Sequence, residues 1–224
     1  MSIKYDVIET ADGSHTLQIS GTNITFHSTK GAVQESDHIF IKCGLEHFVN
    51  KNPSNKSISI LEVGFGTGLN ALLTASFAAR YERMVIYNTI ELNPLPEEVY
   101  ANLNYPRLLN QPELYKAIMS AEWNQTHAID SFFSLNKIHD DILEHDFKQR
   151  ADLIYFDAFA PGDQAEMWSD LICEKMFGLS NSGGILVTYC SKSIVRKAFA
   201  RAGFTVEKLA GPPGKREIIR AVKP

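Results

Sequence analysis

The sequence lacks the features that mark several large classes of protein. It has no run of roughly 20 apolar residues, the length that a membrane-spanning helix needs. Its beginning, MSIKYDVIET, lacks the apolar region of a signal peptide. Cysteine is scarce: only Cys43, Cys173 and Cys190 are present, and no two form a Cys-x-x-Cys pair. These absences argue against a disulfide framework and a structural zinc site, and predict a cytoplasmic protein with reduced thiols and no metal.

An excess of positive charge is also absent, since the net charge is −4 over 224 residues. This balance disfavours nucleic-acid binding by the chain as a whole. Residues 192–224, however, contain nine Lys or Arg against two acids, so that one end of the chain is basic and the remainder acidic. This end is a candidate surface for a phosphate backbone. An ordinary solvated helix face is the alternative interpretation, in particular for Arg196, Lys197 and Arg201.

The most informative stretch is residues 58–70, ISILEVGFGTGLN. A short apolar strand is followed by glycines at alternate positions, and then by an Ala- and Leu-rich helix over Leu69–Tyr81. The spacing matches neither the Gly-x-Gly-x-x-Gly dinucleotide fingerprint nor a Walker A loop. Glu62, just before the glycines, suits a ligand with a positive group. S-adenosylmethionine, with its ammonium and sulfonium, is such a ligand.

A second carboxylate supports a nucleoside-type ligand. The next predicted strand, Met84–Glu91, ends in an acid that can accept hydrogen bonds from both ribose hydroxyls. The alternative is that the glycines form a tight turn and that Glu62 and Glu91 are ordinary strand-end charges. The distance between the two acids along the chain favours the ligand interpretation.

The pattern along the chain predicts two parts. Residues 1–56 contain three short strands (5–7, 16–20 and 24–27), a polar connector (29–38) and a helix (37–49), which together form a small β appendage with a lead-in helix. Residues 57–224 alternate strands and helices, which predicts a doubly wound, mainly parallel α/β domain of the Rossmann-like type. Its later elements are expected as strands at 127–135, 152–157 and 185–189, helices at 140–148, 166–177 and Ser193–Arg201, and a hairpin of 205–208 with Glu217–Val222.

A second motif, DAFAP, follows the fourth predicted strand at residues 157–161. Methyl transfer from a sulfonium needs a neutral, aligned nucleophile, whereas an amine is mostly protonated near neutral pH. Asp157 can accept the hydrogen bonds of an amine, Phe159 can pack on a base, and Pro161 can fix the loop. The alternative is that Asp157 caps a helix that begins near Gly162.

Four stretches together resemble the methyltransferase half of the bifunctional MnmC enzymes, which make 5-methylaminomethyl-2-thiouridine in tRNA. They are residues 27–41 (HSTKGAVQESDHIFI), 62–70 (EVGFGTGLN), 157–168 (DAFAPGDQAEMW) and 189–219 (YCSKSIVRKAFARAGFTVEKLAGPPGKREII). The resemblance implies methyl transfer from S-adenosylmethionine to the aminomethyl group at C5 of the wobble uridine. The partner that it implies is the anticodon region of tRNA.

The resemblance also implies roles for individual residues. Asp157 and Phe159 would face the reacting amine, and Pro161, Lys215, Arg216 and Glu217 would lie on the substrate or tRNA side. The residues implied for the cofactor are Glu62, Gly64, Gly66, Gly68, Asn70 and Glu91. The family has an acid after its third strand to meet adenine; the nearest residues here are Ser134, Leu135 and Asn136, and we assign Asn136 to adenine.

The chain departs from the family in length, because 224 residues leave no room for the flavin-dependent oxidase half. The resemblance is therefore to a stand-alone, MnmD-like form, for which a separate enzyme must supply the aminomethyl-uridine. Two other functions stay open at this point. One is N-methylation of a small-molecule amine on the same fold, and the other is non-catalytic binding of a nucleotide or RNA.

Overall fold

The computed structural model describes residues 3–224. Its amino-terminal unit, defined here as residues 3–56, begins with a hairpin. Strands β1 (Tyr5–Glu9) and β2 (His15–Ile19) pair antiparallel. The prediction of a third strand at 24–27 is wrong, because this segment makes only one isolated β-bridge, from Thr25 to Gln18. The ladder stops there because the backbone N–H of His27 donates to the side-chain hydroxyl of Thr16 at 2.9 Å.

The lead-in helix begins earlier than predicted. It consists of α1 (Ala32–Ser36), a π-helical segment (Asp37–Glu46) and α2 (His47–Lys51), which follow one another without a break. The first N–H groups of this helix have hydrogen-bond acceptors that are distant in sequence. The backbone N–H of Ala32 donates to Ser14 Oγ, and that of Gln34 donates to Asp12 Oδ2. Such groups are normally satisfied by a local cap. Here the cap comes from the turn between β1 and β2, so the polar connector predicted at 29–38 is largely helical.

One eight-stranded sheet forms the centre of the molecule, in the order β5-β6-β4-β3-β7-β8-β10-β9. Strands β6, β4, β3, β7 and β8 run parallel, while β5 at one edge and the β9–β10 hairpin at the other are antiparallel. The strands are β3 (Ser57–Val63), β4 (Met84–Glu91), β5 (Thr126–Ala128), β6 (Phe133–His139), β7 (Ala151–Phe156), β8 (Ser180–Thr188), β9 (Thr205–Ala210) and β10 (Glu217–Val222).

Helices cover both faces of this sheet, which confirms the predicted fold class. The remaining helices are α3 (Leu69–Tyr81), α4 (Glu97–Tyr100), α5 (Tyr105–Leu108), α6 (Pro112–Ser120), α7 (Asp170–Leu179) and α8 (Ser193–Arg201), with a 3-10 turn at Ala165–Trp168. One apolar cluster joins the sheet to α3, α6 and the lead-in helix, and the other joins it to α7 and α8. The first cluster includes Ile39 and Ile58, so the core is continuous across the boundary proposed at residue 56. No helix among residues 3–224 has the length and apolar character to cross a membrane.

The third parallel strand lies later than predicted. Residues 127–135 contain a turn, in which Asp130 Oδ1 accepts the backbone N–H of Phe132, so that β6 begins at Phe133 and ends at His139. The prediction of a helix at 140–148 is also wrong. Asp140 and Asp141 accept the backbone N–H groups of Asp141 and Leu143, and such local bonds compete with helix formation.

Candidate functional site

A cleft opens at the carboxyl ends of the parallel strands, where ligands bind in open α/β sheets. It encloses about 1160 Å³, including the solvent at its mouth. The segments after β3, β4, β6 and β7 border it on one side, and the amino-terminal hairpin borders it on the other. Gly64, Gly66, Glu91, Asp157 and Phe159 all line this cleft, so the sheet brings together five of the residues predicted from sequence.

The glycine loop is shaped by close backbone approach. Gly64, Gly66 and Gly68 all have positive φ, at 91°, 47° and 72°. A Cβ atom on Gly64 would lie 2.8 Å from the carbonyl oxygen of Asp157, and one on Gly66 would lie 3.1 Å from Cδ1 of Phe26. Only glycine fits this combination of left-handed backbone and short distance at Gly64. The loop is thus packed between the segment after β7 and the amino-terminal unit, while Gly68 is buried at the start of α3.

One amide joins two of the predicted carboxylates. Asn70 Nδ2 donates to Glu62 Oε1 at 3.1 Å and to Asp157 Oδ2 at 2.9 Å. Burial raises the pKa of Glu62 to about 8, and burial, followed by the nearby charge of Glu35, raises the pKa of Asp157 to about 7. The buried Oδ1 of Asn70 has no hydrogen-bond partner among the described residues. Glu62, whose buried Oε2 also has no partner among the described residues, and the free amide oxygen of Asn70 form a set of acceptors that fits the ammonium group of S-adenosylmethionine.

Glu91 is held in the cleft by the backbone. Its Oε2 accepts the N–H of Gly66 at 3.2 Å and its Oε1 accepts the N–H of Asn93 at 2.9 Å. Burial raises the pKa of this carboxyl, and these backbone hydrogen bonds act in the opposite direction. Each carboxylate oxygen can accept more than one hydrogen bond. Glu91 therefore keeps the capacity to bind ribose hydroxyls, and this role stays a prediction.

The structure does not bring Asn136 to the cleft. Asn136 lies in the middle of β6, where its Nδ2 donates to Asn88 Oδ1 at 3.2 Å. The residues that line the cleft after β6 are the four from Asp140 to Leu143. The sequence pattern did not indicate them because it ends the strand four residues too early, at 135 rather than 139.

Asp157 does not cap a helix. Helix α7 begins at Asp170 and is capped by Ser169, whose hydroxyl accepts the N–H of Ile172. Asp157 instead follows β7 directly and faces the cleft. Phe159 is fixed nearby because its carbonyl oxygen accepts the indole N–H of Trp168 at 2.7 Å. Pro161 is partly buried in the turn that follows and does not line the cleft.

The three residues assigned to the tRNA side differ in environment. Lys215 Nζ lies 2.6 Å from Glu35 Oε1 and 4.3 Å from the centre of the Tyr189 ring, and the Tyr189 hydroxyl donates to the carbonyl of Ala158. Lys215 is thus turned inward, towards the segment that bears Asp157. Arg216 is exposed, and Glu217 pairs with a lysine of β9 at 2.8 Å. No local sequence signal marks the buried Glu35.

The basic end of the chain is largely neutralised by the fold. Four of its nine cations form ion pairs, and Lys223 donates to two backbone carbonyls. The other four cations of this stretch, Lys192, Arg196, Lys197 and Arg216, have no acidic partner within residues 3–224. We call these four residues the basic edge. They lie at or next to the α8 start and in the β9–β10 loop, and both Arg196 and Arg216 act electrostatically on Glu217.

Comparison with known proteins agrees with this site. A family model described as S-adenosyl-L-methionine-dependent methyltransferase matches residues 112–224. The tRNA 5-methylaminomethyl-2-thiouridine biosynthesis bifunctional protein MnmC of Actinobacillus pleuropneumoniae is 27% identical over 89% of this chain and 32% of that protein. MnmC of Methylibium petroleiphilum is 30% identical over 88% of this chain and 31% of that protein. The chain therefore spans about a third of the length of the curated relatives it matches.

A solved structure supports the same fold. The crystal structure of MnmC2 from Aquifex aeolicus superimposes with a TM-score of 0.79 and 24% identity, over 98% of this chain and 70% of that one. The sequence-based predictions of the fold, the MnmC resemblance and the cofactor are confirmed. With the family model covering half of its length and the glycine loop and acidic strand ends gathered at one cleft, this chain belongs to the S-adenosyl-L-methionine-dependent methyltransferases.

Proposed function

We propose that the chain methylates the aminomethyl nitrogen at C5 of the wobble uridine in tRNA, giving 5-methylaminomethyl(-2-thio)uridine. The observation that carries this proposal is the position of Asp157, which faces the cleft beside the glycine loop and is held by Asn70. Similarity to proteins named for the synthesis of this nucleoside, over 87–89% of the chain, supports the substrate. A separate activity must supply the aminomethyl group, and the cytoplasm is the proposed compartment.

The cofactor would lie along the polar side of the cleft. Glu62, Asn70 and the glycine loop would hold the methionine part, and Glu91 would hold the ribose. Asp140 and Asp141, which line the cleft after β6, would meet adenine in place of Asn136. When bound, S-adenosylmethionine supplies the methyl group as an electrophile.

Asp157 would act on the amine. The nitrogen is mostly protonated near neutral pH and must lose a proton before its lone pair can react. A carboxyl whose pKa is about 7 can accept that proton, because its two forms are both populated at neutral pH. Its hydrogen bond from Asn70 would fix the direction of the acceptor, as an oriented reaction needs.

The basic edge would contact the RNA backbone. Between β8 and α8 lies Lys192, and the first half of α8 contains Arg196 and Lys197. The β9–β10 loop contains Arg216. This is the end of the sheet at which the cleft opens. Unpaired cations near an active site bind phosphates and release counterions. Lys215 is assigned elsewhere, because it is engaged with Glu35.

The test is mass analysis of nucleosides from tRNA that carries aminomethyl-uridine, after incubation with the purified protein and S-adenosylmethionine. We expect conversion of the aminomethyl nucleoside to the methylaminomethyl form, and conversion about 10²- to 10⁴-fold slower with Asp157→Asn. Small amines and the free nucleoside serve as competing acceptors. Methylation of these acceptors with none of tRNA would contradict the proposal and support a small-molecule N-methyltransferase.

A further inference from the structure

The cleft has a second wall that the glycine motif does not explain. Tyr5, Ile19 and Phe26 line it from the amino-terminal unit. We call these three residues the amino-terminal wall. The ring of Phe26 lies 5.8 Å from that of Tyr5, and 5.2 Å from that of Phe159 at an angle of 86°. Phe26 and Phe159 thus meet nearly at right angles and form an aromatic corner, with one ring from the amino-terminal unit and one from the segment after β7.

The position of Phe26 is fixed by its neighbours. The next residue, His27, is bound at its backbone to Thr16, and its Nε2 lies 2.9 Å from Thr67 Oγ1 in the glycine loop. Burial lowers the pKa of His27 to about 4, so the ring is neutral at physiological pH and keeps this hydrogen bond. Phe26 itself packs on Gly66. The amino-terminal unit is therefore attached to the glycine loop by a hydrogen bond and by packing.

The two rings are suited to a planar ligand. Both are half-buried and line the cleft, so part of each ring faces the open space. Aromatic rings stack face to face with an offset, or meet edge to face. A planar base can therefore stack on one ring of the corner while its edge meets the other. Phe159 is two residues beyond Asp157, which places this corner beside the carboxyl group assigned to the amine.

We propose that Phe26 and Phe159 form the seat of the pyrimidine base whose aminomethyl group is methylated. The amino-terminal unit is then part of the active site, and Phe26 reads the base. This inference rests on the proposed function and adds to it a recognition residue from outside the methyltransferase motifs. The alternative role for Phe26 is to cover the bound cofactor, because the ring also packs on Gly66 in the glycine loop. The experiment separates these two roles.

The variants are Phe26→Leu, which removes the ring and keeps an apolar side chain, and Phe26→Tyr, which keeps the ring. The measurements are KM for aminomethyl-uridine tRNA at saturating cofactor, kcat, and the Kd for S-adenosylmethionine by calorimetry. We expect Phe26→Leu to raise KM for tRNA roughly 5- to 150-fold, the range for removal of one base-stacking ring. Its cofactor Kd should be unchanged, and Phe26→Tyr should restore KM.

Phe147→Leu is the matched control. Phe147 is half-buried and packs on the His145 ring at 4.6 Å, but it does not line the cleft. It should leave KM and Kd unchanged. Thermal melts of all variants check that each is folded at the assay temperature.

The outcomes distinguish the inference from the proposed function. If Phe26→Leu weakens cofactor binding and leaves the KM for tRNA unchanged, Phe26 covers the cofactor and the proposed base seat is wrong. If neither constant changes, the corner is packing only and the inference is also wrong. If the unsubstituted protein transfers no methyl group to tRNA, the proposed function itself fails.

Discussion

The two walls of the cleft are built in different ways. The wall at the strand ends, formed by Gly64, Gly66, Glu91 and Asp157, is polar, and its carboxyl groups are held by backbone N–H groups or by an amide. The amino-terminal wall presents aromatic and aliphatic side chains, and hydrogen bonds of the backbone N–H and the ring of His27 hold it in place. Polar acceptors orient a charged ligand, whereas aromatic surfaces select for a flat one. The difference suggests that the first wall serves the cofactor and the reacting amine, and the second the base.

Replacement of Asp157 tests the polar wall and has the largest expected effect. Asp157→Asn keeps the shape of the side chain and removes the proposed proton acceptor, so turnover should fall about 10²- to 10⁴-fold. Cofactor affinity should change little, and activity should recover partly at higher pH, where more of the amine is neutral. Single-turnover rates and calorimetry measure the two effects. Near-normal turnover in a folded Asp157→Asn variant would remove Asp157 from the mechanism.

Replacement of Glu91 should affect binding and not chemistry. Glu91→Ala removes the acceptor assigned to the ribose hydroxyls, which should weaken S-adenosylmethionine binding by about 1–3 kcal/mol, or roughly 5- to 150-fold in Kd. The same change frees the backbone N–H groups of Gly66 and Asn93, so a thermal melt is needed as a control. Calorimetry that shows unchanged cofactor affinity in the folded variant would contradict the assignment.

Much of the polar wall could be predicted from sequence because its signals are local. The bounds of α3, β4, α8 and β10 follow from short apolar and glycine patterns, and parallel strands bring their ends to one edge. Asn136 is the exception. A turn at Asp130 places β6 later in the sequence than predicted. An error of a few residues at the end of a strand changes which residues reach the cleft.

The amino-terminal wall could not be predicted because the residues that hold it are distant in sequence. Helix α1 is capped by Asp12 and Ser14 from the preceding hairpin, and Glu35 finds its cation at the opposite end of the chain. Nothing in residues 24–27 alone indicates that Phe26 will meet Phe159. Propensity and spacing describe neighbours along the chain, and these pairs form only when the fold is complete.

The basic edge lies outside both walls, so its removal should change RNA affinity alone. Arg196→Ala with Arg216→Ala should reduce the slope of log affinity against log salt by about one for each phosphate that is no longer bound, and weaken tRNA binding by about 10-fold or more. Arg201→Ala is the matched control, because Arg201 is on the same helix but paired with Asp170. Filter binding over a range of salt measures the slope. Equal effects of the double variant and the control would show a solvated surface.

The smallest expected effect tests an ion pair between the amino-terminal unit and the β9–β10 loop. Glu35 on α1 and Lys215 in the β9–β10 loop form an ion pair, and both charges act on Asp157, in opposite directions. The other titratable groups that interact electrostatically with Asp157 are Glu62, Tyr87 and Tyr189. In the proposed mechanism Asp157 is active in its ionised form, so we expect the acid limb of the rate profile to follow its pKa.

The two partners should shift this limb in opposite directions. Glu35→Gln leaves the positive charge of Lys215, which lowers the pKa of Asp157 and moves the acid limb to lower pH. Lys215→Met leaves the negative charge of Glu35, which raises that pKa and moves the limb to higher pH. Profiles of kcat/KM against pH measure both shifts, and the plateau should be nearly unchanged. A purely structural ion pair would lower the plateau in both variants and leave the limb in place. Opposite shifts would show that the amino-terminal unit and the carboxyl-terminal hairpin together set the proton affinity of Asp157.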